Sequence, residues 1–79
     1  MTDQEQAFWD ACEVFDPTMS YEEYVVCVFR SLMLSDWHEY HSPEGATACI
    51  RSNVDYIRES YAEKNPVNDT MVEIGYTCG

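Results

Sequence analysis

The sequence predicts an all-α fold, a compact bundle of about four helices. Two observations predict it: four helix-start signals spread along 79 residues, and apolar side chains spaced three and four apart between them. Thr2-Asp3-Gln4-Glu5 and Ser20-Tyr21-Glu22-Glu23 are capping boxes, in which a hydroxyl accepts from a backbone N–H three residues on and the glutamate reaches back. Ser42-Pro43-Glu44 places a Ser cap before a proline at the first helical position, where the missing N–H costs nothing. Asn65-Pro66 repeats that arrangement.

The first segment carries Phe8, Ala11, Cys12 and Phe15 on one helical face, and Asp16-Pro17 ends it, because a residue before proline is pushed out of the helical region. In the second, Tyr21, Tyr24, Val25, Val28 and Leu32 form a stripe that Val26, Phe29 and Met33 widen around most of the circumference. This is the expected central helix. Its stripe would run on into Asp36 and Glu39, so a stop or bend is expected near Ser35. The third segment aligns Ala46, Cys49, Ile50, Val54, Ile57 and Tyr61, with Arg51, Asp55, Arg58 and Glu59 opposite. Arg51 and Asp55, four apart, are placed to pair, which contributes only ~0.2–0.5 kcal/mol. Asn53 lies inside that stripe, where an internal hydrogen bond that fixes register is expected ahead of a ligand contact.

The last segment reads two ways. Val67, Met71, Ile74 and Cys78 recur at helical spacing, whereas Val72, Ile74 and Tyr76 alternate as in a strand and Gly75 weakens a helix. Helix is the expectation, since a lone strand in a helical domain has no pairing partner; a short strand is the alternative.

One domain, residues 1–79, is expected at this length. The 46% hydrophobic content and eleven aromatics suit a folded core, not a disordered acidic tail. Fifteen Asp and Glu against four Lys and Arg give a net charge of −11. A small domain is comfortable at a magnitude of roughly 2–8, so solubility alone does not call for this excess. Direct contact with nucleic acid or an anionic membrane is not expected, because phosphates attract Lys and Arg; a basic protein or nucleoprotein complex is the natural complement. Cys12, Cys27, Cys49 and Cys78 include no C-x-x-C pair, and Met1 is followed by no hydrophobic leader. Free thiols and a cytoplasmic location are expected. No apolar run approaches the ~20 residues that span a bilayer.

Asp36, His38, Glu39 and His41 are the only hint of a metal site, and they lack both the H-E-x-x-H order and a nearby thiol; no metal and no cofactor are expected. A nucleophile elbow, a glycine-rich phosphate loop and an evident Cys–His pair are all missing from the sequence. A domain this small is also expected to have little room for a pocket of ~300 Å³ or more, so no enzyme is expected.

Binding residues are more legible. At ~100° per residue, Asp3, Glu5, Asp10, Glu13 and Asp16 gather away from the first apolar face, with Trp9 among them. An indole between Glu5 and Glu13 resembles an interface hot spot; the competing reading folds Trp9 onto the core or beneath the C-terminal segment. Glu22 and Glu23 complement the dipole of the second helix and extend the acidic face if the first two helices pack suitably. Tyr24 and Tyr61 belong to the core stripes, while Tyr40, Tyr56 and Tyr76 sit at stripe edges as candidates for exposure.

In these acidic residues, and in size and helical content, the chain resembles the small acidic inhibitors that phages and mobile elements make against host defences, anti-CRISPR proteins among them. The resemblance covers no alignable motif and carries over no residue role. It implies a DNA mimic that docks on the basic, nucleic-acid-binding site of a partner such as a CRISPR effector complex. Two alternatives stand beside it: an immunity protein or antitoxin that neutralises a basic toxin, and a small structural or adaptor subunit.

Overall fold

The computed structural model describes residues 2–35, 37 and 40–78, position 78 by its backbone only. Five helices follow one another: α1 (Asp3–Cys12), α2 (Tyr21–Leu34), α3 (Pro43–Ser52), α4 (Val54–Ala62) and α5 (Val67–Cys78). The all-α class holds, and no strand occurs among the described residues. The bundle measures 32 × 30 × 18 Å, so its thin dimension is about two helix diameters.

Three of the start signals operate as their chemistry dictates. Thr2 Oγ1 accepts from Glu5 N at 3.1 Å, Ser20 Oγ from Glu23 N at 3.2 Å, and Ser42 Oγ from Gly45 N at 3.1 Å. The reciprocal half of the second box differs from expectation: Ser20 Oγ lies 3.2 Å from the Glu23 carboxylate and donates to it. At the fourth signal the helix begins one residue late, with Pro66 giving its carbonyl to Thr70 N.

The fifth helix arises because the third segment is broken. In a continuous helix Asn53 N–H would bond the Cys49 carbonyl. Instead the Asn53 side-chain amide donates to that carbonyl at 2.8 Å, and its backbone N–H turns to Ile50 O at 3.0 Å. A side chain that substitutes for its own backbone in this way competes with the helix. The expected internal hydrogen bond exists, but it divides the segment. Arg51 and Asp55 consequently fall on different helices, and the pairing expected of one continuous helix loses its basis.

The first helix also stops earlier than Asp16-Pro17. It ends at Cys12, with Glu13 as its cap, so Ala11 and Val14 are exposed while Phe15 swings off the axis. Phe15 then joins an aromatic cluster, 6.2 Å from Tyr24 and 5.7 Å from Tyr61 between ring centroids.

Helix α2 is central, packing on α3, α4 and α5, and it buries Tyr24, Val28, Ser31 and Leu32. It stops at Ser35 as expected, but Val26 is exposed, so its apolar face is narrower than the sequence suggests. The described part of the α5 stripe, Val67, Met71 and Ile74, is buried against α2 while Tyr76 is exposed, which settles the last segment as helix.

Three tyrosine hydroxyls tie separate elements together. Tyr24 donates to Asn65 O at 2.8 Å, Tyr40 to Gly75 O at 3.1 Å, and Tyr61 to Met19 O. A phenol has one proton, so the Thr70 hydroxyl, 2.6 Å from Tyr24, must donate into the phenol oxygen. Burial pushes the Tyr24 phenol up from its ordinary range, which keeps it a donor. Tyr40, expected toward a stripe edge, is thus buried, because its hydroxyl reaches into the α5 backbone.

Two details at α5 explain residues that propensity alone disfavours. Gly75 seats the indole of Trp37: a Cβ there would come within 2.9 Å of three carbons of that ring. Before α5, Lys64 N bonds Tyr61 O and Asn65 N bonds Ser60 O, the paired bonds of a Schellman cap, with Lys64 at φ 64° where glycine is usual.

These bonds can be weighed by substitution. Tyr24→Phe keeps the ring but deprives Asn65 O and Thr70 of a partner; urea unfolding should show a loss of about 1–3 kcal/mol. Lys64→Gly relieves a left-handed backbone costing roughly 1–2 kcal/mol against roughly 0.4–1 kcal/mol of added unfolded-chain entropy. A net gain between zero and about 1.6 kcal/mol is expected in the same assay, and Lys64→Ala should give none.

Candidate functional site

The charge is distributed unevenly along the chain. Residues 1–29 hold seven carboxylates and no Lys or Arg, a charge of −7; residues 30–79 hold eight carboxylates and four basic residues, a charge of −4. The seven acids of the first stretch lie on α1, the turn after it and the first turn of α2.

Of the seven residues expected to bind a partner, Asp10, Glu13, Asp16, Glu22 and Glu23 are exposed, while Glu5 and Trp9 are half-buried. Because α1 ends at Cys12, Glu13 caps the helix and Asp16 leaves it altogether. Asp16 instead organises the turn at Pro17, where its Oδ1 accepts from Thr18 N at 2.9 Å and from Thr18 Oγ1 at 2.7 Å. Glu23 is engaged by Ser20, and Asp10 accepts from Gln6 at 2.9 Å one turn away. These bonds hold carboxylates in fixed places at the surface and leave them solvated.

Trp9 takes a position between the two readings of it. Its ring stacks edge-on to Phe8 at 5.5 Å and packs against the core, yet it also lines an open groove of about 480 Å³. Leu34 and Ser35 at the end of α2, Trp37, and Asn68 and Tyr76 of α5 share that groove. Trp37 meets Tyr76 edge to face at 5.4 Å and 78°. Tyr76 is 73% exposed and Leu34 43% exposed. Sequence periodicity misses this feature because it joins three elements far apart in the chain; only the exposure of Tyr76 is legible there.

A second groove, about 510 Å³, runs past Tyr40, Ala48, Cys49, Asn53 and Thr77. Both grooves correct the expectation of little pocket volume in so small a domain. Five short helices that meet at angles leave clefts on the outside even where the interior is filled.

The possible metal cluster falls mostly on Asp36, His38 and Glu39, which lie outside the described residues. His41 is exposed, and its Nε2 lies 2.7 Å from the Ser35 carbonyl, so that nitrogen carries the proton and donates. Among the described residues no three His, Cys, Asp or Glu side chains converge to hold a metal ion. Burial, and then the neighbouring Cys27, push the Cys12 thiol up to about 11; burial also raises Cys27. Such thiols stay protonated near neutral pH and are weak nucleophiles. Cys49 donates to Ile74 O at 3.5 Å. No helix is long and apolar enough to cross a membrane among the described residues.

The Asp16 turn generates a pH prediction. The bonds from the Thr18 hydroxyl, and then from its N–H, hold the Asp16 carboxyl below its ordinary range. A depressed folded pKa gives stability that is present above the unfolded value and lost as pH falls through the folded one. In a carboxylate NMR titration Asp16 should protonate at a lower pH than an aspartate in a model peptide. Thr18→Ala should shrink the difference without abolishing it, because the backbone N–H bond remains.

No family model matches this chain, and no curated protein or solved structure is significantly similar to it.

Proposed function

We propose that this protein is a non-enzymatic, protein-binding inhibitor that covers a basic, nucleic-acid-binding site on its partner. The observation that supports this most is the run of seven carboxylates without a single Lys or Arg over residues 1–29, set on α1, the turn after it and the start of α2. A protein that grips a duplex presents cations to a charge every ~1.7 Å of helix axis. A helix with exposed carboxylates offers the same sign on a rigid rod, and its field accelerates encounter with a cationic groove. In this reading Glu5 and Asp10 of α1 and Glu13 at its C-cap face the partner, Glu22 and Glu23 extend the charge, Asp16 contributes from its turn, and Trp9 supplies an apolar edge. A CRISPR effector complex is one partner of the required chemistry, and a basic toxin is another.

The aromatic groove favours a second reading, a small adaptor subunit held in an assembly by apolar contact. Salt separates the two. An acidic mimic loses affinity steeply between about 50 and 200 mM salt, because its partner regains counterions, whereas apolar docking does not.

Affinity capture from cell extract at those two salt levels, with added duplex DNA as competitor, tests the reading. The expected result is nucleic-acid-binding proteins retained at low salt and displaced by DNA. Glu5→Lys, Asp10→Lys and Glu13→Lys combined should abolish retention while leaving the helical circular dichroism unchanged. Retention that survives this triple reversal would remove the acidic face from the explanation.

A further inference from the structure

We propose that the groove between Trp9, Trp37 and Tyr76 receives an arginine side chain from a basic segment of a protein partner. Two indoles and a phenol line one open cleft, and the Trp37 and Tyr76 rings stand at 78° to each other. Tyr76 is 73% exposed, so its ring offers open π-surface on the wall of the cleft, and such a face attracts a cation. Guanidinium is flat, weakly hydrated and stacks on aromatic faces, so it suits such walls better than a compact ammonium. Asn68 adds a side-chain amide oxygen, an acceptor for N–H groups, to the lining.

Charge selects the occupant. The described residues that line the cleft are uncharged, so none repels a cation, and the chain as a whole carries −11. A second copy of this protein would bring another −11 to the same face, and an acidic or neutral apolar segment would gain nothing from the surrounding potential. A cationic segment gains at both scales: long-range attraction to the protein, then short-range contact with the rings. The volume, about 480 Å³ and open to solvent, admits a long side chain with part of its backbone.

This inference rests on the acidic-inhibitor reading only for the basic character of the partner, and it stands or falls on a separate measurement. Both tryptophans of the chain line the groove, so intrinsic indole fluorescence reports on it directly. The probes are a blocked Gly-Arg-Gly tripeptide and its citrulline counterpart, which keeps the planar shape and loses the charge. Titrations run at about 0.3 M salt, where screening suppresses general attraction to the acidic surface. The arginine peptide should perturb the indole emission with saturation, and citrulline should bind about two- to fivefold more weakly or not at all.

Tyr76→Ala, at an exposed position that tolerates change, should weaken the arginine peptide by a similar factor, while Tyr76→Phe should retain it. Equal binding of citrulline, no effect of Tyr76→Ala, or a self-associated protein in sedimentation that Tyr76→Ala returns to monomer would each overturn the inference. If the peptide fails while DNA-competed capture survives, the groove assignment alone is wrong. If the peptide binds while the triple reversal leaves capture intact, the acidic-face reading alone is wrong.

Discussion

The hydroxyl of Tyr24 is the constraint on which the arrangement of α2, α4 and α5 depends. It sits on the central helix, almost without exposure, and must find partners there or lose the free energy of an unmet polar group. It finds them in the carbonyl that follows the α4 cap and in the Thr70 hydroxyl of α5. Both partners exist only if the chain turns left-handed at Lys64 and re-enters a helix at Val67. One buried phenol therefore specifies where α4 stops, where α5 starts and how α5 lies on α2.

The same device recurs at lower cost around the bundle. Tyr61 holds the loop before α2, and Tyr40 holds the carbonyl of Gly75. Gly75 is a junction: its missing side chain admits the Trp37 indole, and its carbonyl receives the Tyr40 hydroxyl. In a chain with four basic residues against fifteen acids, at most four carboxylates can have a Lys or Arg partner, so ion pairs are a limited source of long-range ties. Uncharged donors that reach backbone carbonyls can, and they do so without being screened by salt. The stability of the fold and the electrostatics of its surface are in this way kept separate, and the carboxylates of α1 and early α2 stay at the surface.

The groove has the same origin. Trp37 lies on Gly75 and thereby stands beside Tyr76, the next residue of α5, while Trp9 approaches from α1. The structural contact and the candidate binding surface share one indole. Partial burial fits such a residue better than either full exposure or enclosure.

From sequence alone the helical class, the capping hydroxyls at Thr2, Ser20 and Ser42, the stop at Ser35 and the central place of α2 are legible, because each depends on residues within a turn or two of one another. The acidity of residues 3–23 is legible for the same reason. What requires the tertiary structure is every choice between local options. Asn53 has a hydrogen bond to make, and only the structure shows its side chain taking the Cys49 carbonyl in place of its own N–H, at a helix break. Phe15 continues a stripe on paper, yet contact with Tyr24 and Tyr61 draws it out of the helix and takes Asp16 off the α1 face. Tyr40 and Gly75 escape a sequence reading for one physical reason: their environment is supplied by residues more than thirty positions away, and periodicity carries no information at that distance.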